Sequence, residues 1–397
     1  MISIDTIRLK FKWHKPDNFY FKEKIHQKEL NLFYFSGNRY IWTNNAWRKQ
    51  KQDQGFYIPK YWIEQDFKNP DKTYICFEAS LPKLLNGHNH SVIYEYQFDE
   101  VVKTICTFFN SIGIFIYSYQ IKEVVPTLLA IGKNIILEKN CSCNLALKAL
   151  KPFDYKPSSK YRVVDFSDYK NQGKEIIFSQ THETIKAYDK KRETLNTAKT
   201  KEEKELAEKL KNSPDEILRI ELTLKTGRKI KQRFRPYLGK KTPTFENIFK
   251  QSIWERLLKD EVESVFNHPL QKILFLSLES QPFIDKFLDE NYSHIQTKDT
   301  VKGILATLQA YGLAETRARY LRRYKSRQTW YNYLKRLKKL QENFDIKALE
   351  NLSNVQIHSY VLSQFGISTS AQNELGLIFN NQLSKNIDIK QCNTKTK

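Results

Sequence analysis

The stretch Ile217 to Lys225, ILRIELTLK, alternates strictly between apolar and polar residues. In an extended chain Leu218, Ile220, Leu222 and Leu224 fall on one side, and Arg219, Glu221, Thr223 and Lys225 on the other. A helix would scatter the same residues around its axis, so the pattern specifies a β-strand with one face in a core. A strand needs neighbours. Residues 72–81, KTYICFEASL, put Ile75, Phe77, Ala79 and Leu81 on a buried face and Tyr74, Cys76, Glu78 and Ser80 on the other. In Thr184 to Lys190, Ile185 and Ala187 point one way, and Thr184, Lys186, Tyr188 and Lys190 the other. This third strand forms a hairpin with Lys174 to Ser179.

Further elements follow from periodicity along the chain. Ile2, Ile4, Ile7 and Leu9 open an apolar strand with Asp5 inside it, and Leu32, Tyr34 and Tyr40 to Trp42 continue the β-rich start through a turn at Ser36 to Asn38. Val101, Val102, Ile105, Phe108 and Phe109 sit at helical spacing between Asp99 and Gly113. Strands are expected over 114–119 and 127–137, a short helix over 145–150, and one charged helix over 190–211 whose solvated faces need no functional explanation. From Thr242 onward the pattern is helical. A helix over 301–309, a turn at Gly312 and further helices give residues 301–340 a helix-turn-helix look. The expected fold class is α+β. A mixed or antiparallel sheet domain over 1–240 precedes a helical domain over 241–385 and a flexible tail over 386–397.

Charge narrows the partner. The chain has 397 residues and carries 66 Lys and Arg against 44 Asp and Glu, a formal charge of +22. That excess points to a polyanion, above all nucleic acid. The helices after Gly312 hold Arg322, Arg323, Lys325 and Arg327 among Tyr320, Tyr324, Trp330, Tyr331 and Tyr333. Basic residues mixed with aromatics suit phosphate and base contacts, while a basic bundle with an aromatic core reads the same way; two faces of one helix allow both. No apolar run is long enough to span a bilayer and the N-terminus lacks a signal-peptide core, so a cytoplasmic protein without membrane contact is expected. The five cysteines form no disulfide framework, and the pair Cys141 and Cys143 has no second Cys/His pair at zinc spacing.

If the strands of Glu78, Tyr188 and Glu221 belong to one sheet, two carboxylates and a tyrosine share one surface. Glu78 and Glu221 then suit Mg²⁺ or Mn²⁺. Tyr188 is placed to attack a phosphate, with Lys186 and Lys190 offsetting charge and Arg219 clamping the phosphate. The plainer reading is a surface strand with an amphipathic tyrosine and two carboxylates in local ion pairs.

Five blocks taken together change the weighting: MISIDTIRLKF at the start, CFEASLPKLLNGHN (Cys76 to Asn89), TIKAYDKKRE (Thr184 to Glu193), ILRIELTLK, and the basic segment from Tyr320 to Leu340. In order and spacing they resemble the gene II family of filamentous-phage replication proteins and the related phage and plasmid initiators. The resemblance covers most of the chain. It implies an initiator-endonuclease, ferredoxin-like sheet and a metal-dependent nickase that cuts and rejoins one strand of circular double-stranded DNA. Tyr188 would be its nucleophile, leaving a 5′-phosphotyrosyl link and a 3′-hydroxyl that starts rolling-circle replication. Double- and single-stranded origin DNA, a host helicase and a polymerase are the implied partners, with the bacterial cytoplasm as the place. Two departures stand out: His88 and His90 lie in a turn rather than on a strand, and the segment Leu129 to Gly132 lacks the acidic residue expected there. A different class of reading is a DNA-binding regulator without catalysis, and an RNA-binding sheet ranks below both.

Overall fold

A computed structural model of the protein describes residues 1–12, 32–36, 39–66, 68–69, 72–138, 141–150, 162–165, 175–266, 281–324, 326–342 and 353–367. The chain divides into two compact units, one of residues 1–139 with 162–258, the other of 140–161 with 259–397.

The first unit is built on a ten-stranded sheet. Its strands are β1 (Ile2–Lys12), β2 (Leu32–Ser36), β3 (Arg39–Thr43), β4 (Lys60–Asp66), β5 (Thr73–Ser80), β6 (Leu128–Ile136), β7 (Arg162–Asp165), β8 (Glu175–Ser179), β9 (Glu183–Asp189) and β10 (Ile217–Leu224). Their order is β2-β3-β4-β5-β1-β6-β10-β9-β8-β7, with each neighbouring pair antiparallel. β1 lies between β5 and β6 and runs against both. β5, the helix Phe98–Ser111 and β6 therefore make a split β-α-β unit with β1 in the gap.

The alternation read from the sequence sets the two faces. On one side Leu218, Ile220, Leu222 and Leu224 are completely buried together with Ile4, Ile7, Leu9 and Phe77. The helix Phe98–Ser111 covers this face with Val101, Val102, Ile105 and Phe109, and the Phe77 and Phe109 rings lie 5.4 Å apart. Each such apolar side chain contributes roughly 1.5–3 kcal/mol on burial. The opposite face carries the polar residues.

Several expectations change in detail. Residues 114–117 form no strand, and a short helix, Ser118–Glu123, follows them. The charged helix is two helices, Lys190–Thr197 and Lys201–Lys211. The break falls at Thr200, whose hydroxyl accepts from the Glu203 amide while the Glu203 carboxylate accepts from the Thr200 amide, so a capping box starts the second helix.

In the second unit every described element is a helix. Gly312 makes no turn, because one helix runs unbroken from Ile295 to Tyr324 and the next begins at Arg327. A single interior glycine costs a helix only about 1 kcal/mol, too little to end this one. Tyr320 packs at 6.1 Å from Trp330 and 5.5 Å from Tyr333, so these aromatics hold the two helices together, while Tyr331 is exposed. Arg322 and Arg323 lie on the exposed surface of the first of these helices. Lys325 and the tail from residue 386 fall outside the described residues. Among the described residues no helix is long and apolar enough to cross a membrane.

Candidate active site

A cleft of about 270 Å³ opens on the polar face of the sheet, lined among others by Asp5, Tyr57, Glu78, Lys186, Tyr188, Glu193 and Glu221. Three strands deliver the residues at its floor. Cross-strand pairing sets Glu221 beside Lys186 and Arg219 beside Tyr188. β1 delivers Asp5 in an irregular way. The register of β1 against β6 slips between Ile4 and Thr6, so Asp5 is the extra residue of a bulge. The slip turns both Asp5 and Thr6 into the cleft, where regular alternation would admit only one of them.

Arg219 ties these strands together. Its Nε donates to Glu221 Oε2 at 3.3 Å, Nη1 to Asn134 Oδ1 at 2.8 Å and Nη2 to Asp5 Oδ2 at 2.7 Å. To reach Asp5 from β10 the side chain passes over β6 at Gly132, where an added Cβ would sit 2.7 Å from Nη2. The glycine is what lets the guanidinium lie flat on the sheet. Arg219 is only 4% exposed and Glu221 6%, although alternation marked them as outward-facing. The helix Lys190–Thr197 packs against β9 and β10 and covers them. A buried guanidinium between two buried carboxylates meets the requirement that such charges be paired and hydrogen-bonded.

Glu221 is the electrostatic centre. Oε2 accepts from the Tyr188 hydroxyl at 3.3 Å and from Arg219, and Oε1 accepts from Thr223 at 3.3 Å and lies 3.1 Å from the Lys186 ammonium. Burial alone would raise its carboxyl, but Lys186 and Arg219 outweigh burial and hold it at about 2. Burial would likewise lower Arg219, and Asp5, Tyr188 and Glu221 override it, so the guanidinium stays charged. Tyr188 is 6% exposed, and burial followed by the nearby Glu221 charge pushes its hydroxyl well above the ordinary tyrosine value. The resting side chain is a neutral phenol, because burial and the Glu221 charge outweigh the nearby cations. The Lys186 ammonium stands 4.8 Å from the Tyr188 ring centre and the Lys190 ammonium 5.9 Å.

The sequence-derived candidates separate into groups. Tyr188, Lys186, Glu221 and Arg219 meet in one network. Lys190 begins the helix after β9, is fully buried, and pairs with Glu193 at 2.8 Å; burial lowers its ammonium below the usual lysine range. Glu78 lines the same cleft but pairs with Arg8. Its row crosses β1 at Arg8, whereas the row of Glu221 crosses β1 at Ser3 by way of Gly132. Two strands separate Glu78 from Glu221, which is about 14 Å across the sheet besides the offset along it. Oxygens ligating one Mg²⁺ or Mn²⁺ lie within about 5 Å of each other. Glu78 and Glu221 therefore do not fit as a shared ligand pair. The carboxylate that does stand near Glu221 is Asp5, and the Arg219 guanidinium fills the space between them. Lys225 is exposed one residue beyond β10 and does not line the cleft.

His88 and His90 lie in bends after Gly87, whose left-handed φ of 74° ends the helix Leu81–Asn86. His90 Nε2 is 2.5 Å from the Thr194 hydroxyl, and burial, then Lys190, lowers its ring to about 3. It is a neutral structural link to the helix behind Tyr188. Three cleft residues carried no signal in the sequence: Arg48 and Tyr57, which belong to the helix Asn45–Asp53 and the segment after it, and Lys60. The Tyr57 hydroxyl accepts from the Ser80 amide at 2.9 Å, and burial raises it above the ordinary tyrosine value. Nothing in residues 45–60 shows the alternation that marks the strands.

No protein-family model matches this chain. No curated protein matches it either. Among solved structures it is similar to the rolling circle replication initiator protein from Geobacillus stearothermophilus, over 66% of this chain and 84% of that chain, with 11% identity and a TM-score of 0.30. A likeness this loose carries no argument about function.

Proposed function

We propose that the chain is a replication initiator that nicks one strand of double-stranded circular DNA at its origin and later rejoins it. The observation that carries the reading is the Tyr188 hydroxyl in an open polar cleft, hydrogen-bonded to Glu221 beside the Lys186 ammonium. The strongly basic chain and the resemblance of its sequence blocks to phage and plasmid initiators support it.

In this reading Tyr188 Oη attacks the phosphorus of the scissile phosphodiester and the P–O3′ bond breaks. A 5′-phosphotyrosyl link forms, and the departing 3′ oxygen takes up the phenolic proton by way of Glu221. Lys186, the most open cation of the network, turns to the phosphate and offsets its growing charge. Glu221 then loses the cation that most lowers its proton affinity and becomes a better acceptor for the phenolic proton. Arg219 holds Glu221 and Asp5 in place rather than clamping the phosphate, because each of its nitrogen positions already has a protein partner. Lys190 sets the charge near the ring from within the fold. Glu78 and Glu221 stand too far apart across the sheet to hold one Mg²⁺ or Mn²⁺ between them.

The test incubates the protein with supercoiled circular DNA carrying its own replicon's origin, in Mg²⁺, in Mn²⁺ and in chelator, followed by a denaturing gel. The expected product is an open circle with protein linked through Tyr188 to the 5′ end. Tyr188→Phe removes only the hydroxyl and is expected to bind the same DNA while losing cleavage. DNA bound and never cut under any of the three conditions would make the chain a non-catalytic, sequence-specific DNA-binding regulator. The chelator arm tests the divalent-ion requirement by itself.

A further inference from the structure

The helix Gly227–Leu238 follows directly on β10 and takes no part in the cleft described above. From Leu222 to Phe245 the chain holds eight Lys and Arg and no acidic residue. A solvated helix of ordinary composition looks different, as Lys201–Lys211 shows: its sequence KEEKELAEKLK mixes the two signs.

The basic residues fall on two distinct sides. Lys229 and Arg233 turn inward to Glu183, which is 1% exposed; the Lys229 ammonium lies 3.2 Å away, and Arg233 donates from Nε and Nη2 at 2.7 Å each. Ile230 and Phe234, both fully buried, fix the helix to the sheet. Arg228, Lys231 and Arg235 recur at helical spacing on the exposed side, with the exposed Gln232 and Pro236 beside them. At the C-terminal end, Gln232, Arg235, Pro236, Gly239 and Lys240 surround an open hollow of about 490 Å³.

This face is electrostatically unfavourable on its own. Arg228 sits in the first turn, where the helix dipole disfavours a cation and no acidic residue balances it. Lys231 and Arg235 repel at i,i+4, as Arg228 and Lys231 do at i,i+3. A polyanion laid along the face removes all three penalties together. At 1.5 Å of rise per residue the three cations span about 10 Å, which matches roughly three phosphate-to-phosphate steps of one DNA strand at about 3.4 Å of axis each. An anionic membrane surface fits less well, because a helix lying in a bilayer interface inserts its apolar side, and here Ile230 and Phe234 are consumed by the fold.

We propose that the exposed face of Arg228, Lys231 and Arg235 is a docking surface for the phosphate backbone of duplex DNA, distinct from the Tyr188 cleft. It rests on the nucleic-acid reading above and extends it to how the duplex is held. The experiment compares the full chain with a triple variant, Arg228→Gln, Lys231→Gln and Arg235→Gln. A control with the same change of net charge is Lys201→Gln, Lys204→Gln and Lys211→Gln. Duplex binding is measured by fluorescence anisotropy over a range of salt concentrations, and binding to phosphatidylserine vesicles is measured alongside. Three lost phosphate contacts are expected to flatten the slope of log K against log salt by about 2.7, with the control unchanged. An unchanged slope in the triple variant, or an equal fall in the control, overturns the proposal. So does loss of vesicle binding with duplex binding intact. The readout is binding, so a protein that docks duplex through this face and never cuts it would sink the nicking reading and leave this one standing.

Discussion

A methyl group added at Gly132 would meet Nη2 of Arg219 at 2.7 Å and its Cζ at 2.9 Å. The guanidinium is held by Asp5, Asn134 and Glu221 and has no slack to move aside. Gly132→Ala is therefore expected to lower the melting temperature, with a cost of about 1–3 kcal/mol, and to reduce cleavage more than DNA binding. Wild-type cleavage in that variant would show that Arg219 need not lie across the sheet. Arg219→Ala is the harsher change, since it leaves two buried carboxylates without their shared cation; about 3–5 kcal/mol is the expected loss in denaturant unfolding. At this scale much was legible in advance. Alternation placed Tyr188, Lys186, Glu221 and Arg219 on one face, and the structure joins them. Their burial was not legible, because a polar strand face reads the same whether solvent or a helix covers it. Asp5 was visible only as a carboxylate inside an apolar strand and a spare candidate, because the bulge breaks the periodicity that would have assigned it to the cleft.

Among the elements, the capping box at Thr200 does more than start a helix. Thr200 is 1% exposed, its hydroxyl donates to the Gly87 carbonyl at 3.3 Å, and Glu203 pairs with Lys83. The helix Lys201–Lys211 thereby anchors the bends that carry His88 and His90. Thr200→Ala is expected to cost about 1 kcal/mol through the cap alone, and hydrogen exchange should speed up at residues 87–90 as well as in the first turn of the helix. Exchange confined to the helix would argue that the loop is held by other contacts. The strands β1, β5, β9 and β10 and the helix Phe98–Ser111 were readable here because period and burial agree. The break at Thr200 and the continuity through Gly312 were not. Each depends on a local balance, a side-chain cap against an uninterrupted helical ladder, that residue type alone does not decide.

Across the whole molecule, the two described histidines with the largest shifts, one in each compact unit, contribute to the response to acid. Burial, joined at His90 by Lys190, lowers the rings of His90 and His358 to about 3 from an ordinary 6.5, and His358 Nε2 lies 3.1 Å from the Phe266 carbonyl. Between these values the unfolded chain binds protons that the folded chain refuses, so stability rises with pH across the window. The contribution is complete above about 6.5 and is lost progressively as pH falls towards 3. Glu221, at about 2 against 4.5, adds a loss of the same sign below pH 4.5. Thermal melts at pH 7 and pH 5 should therefore differ, and His90→Asn should shrink the difference. An equal difference in that variant would remove His90 from the account. Net charge pointed to a polyanionic partner from the composition alone, but this acid sensitivity follows only from where each ring is buried.

β1 crosses the middle of the sheet with one residue more than its partner β6 requires, and that surplus residue is Asp5. The length of β1 is thus a coordinate of the cleft in its own right. Removing Asp5 altogether would bring Ile4 and Thr6 back into ordinary succession, with Ile4 in the core and Thr6 toward the cleft. The sheet would gain a more regular strand, and the cleft would lose the anion that Arg219 Nη2 holds. In this protein the scaffold and the chemistry are in direct competition over a single inserted residue, and a lineage of such chains could gain or lose the site by insertion or deletion while every strand stayed paired.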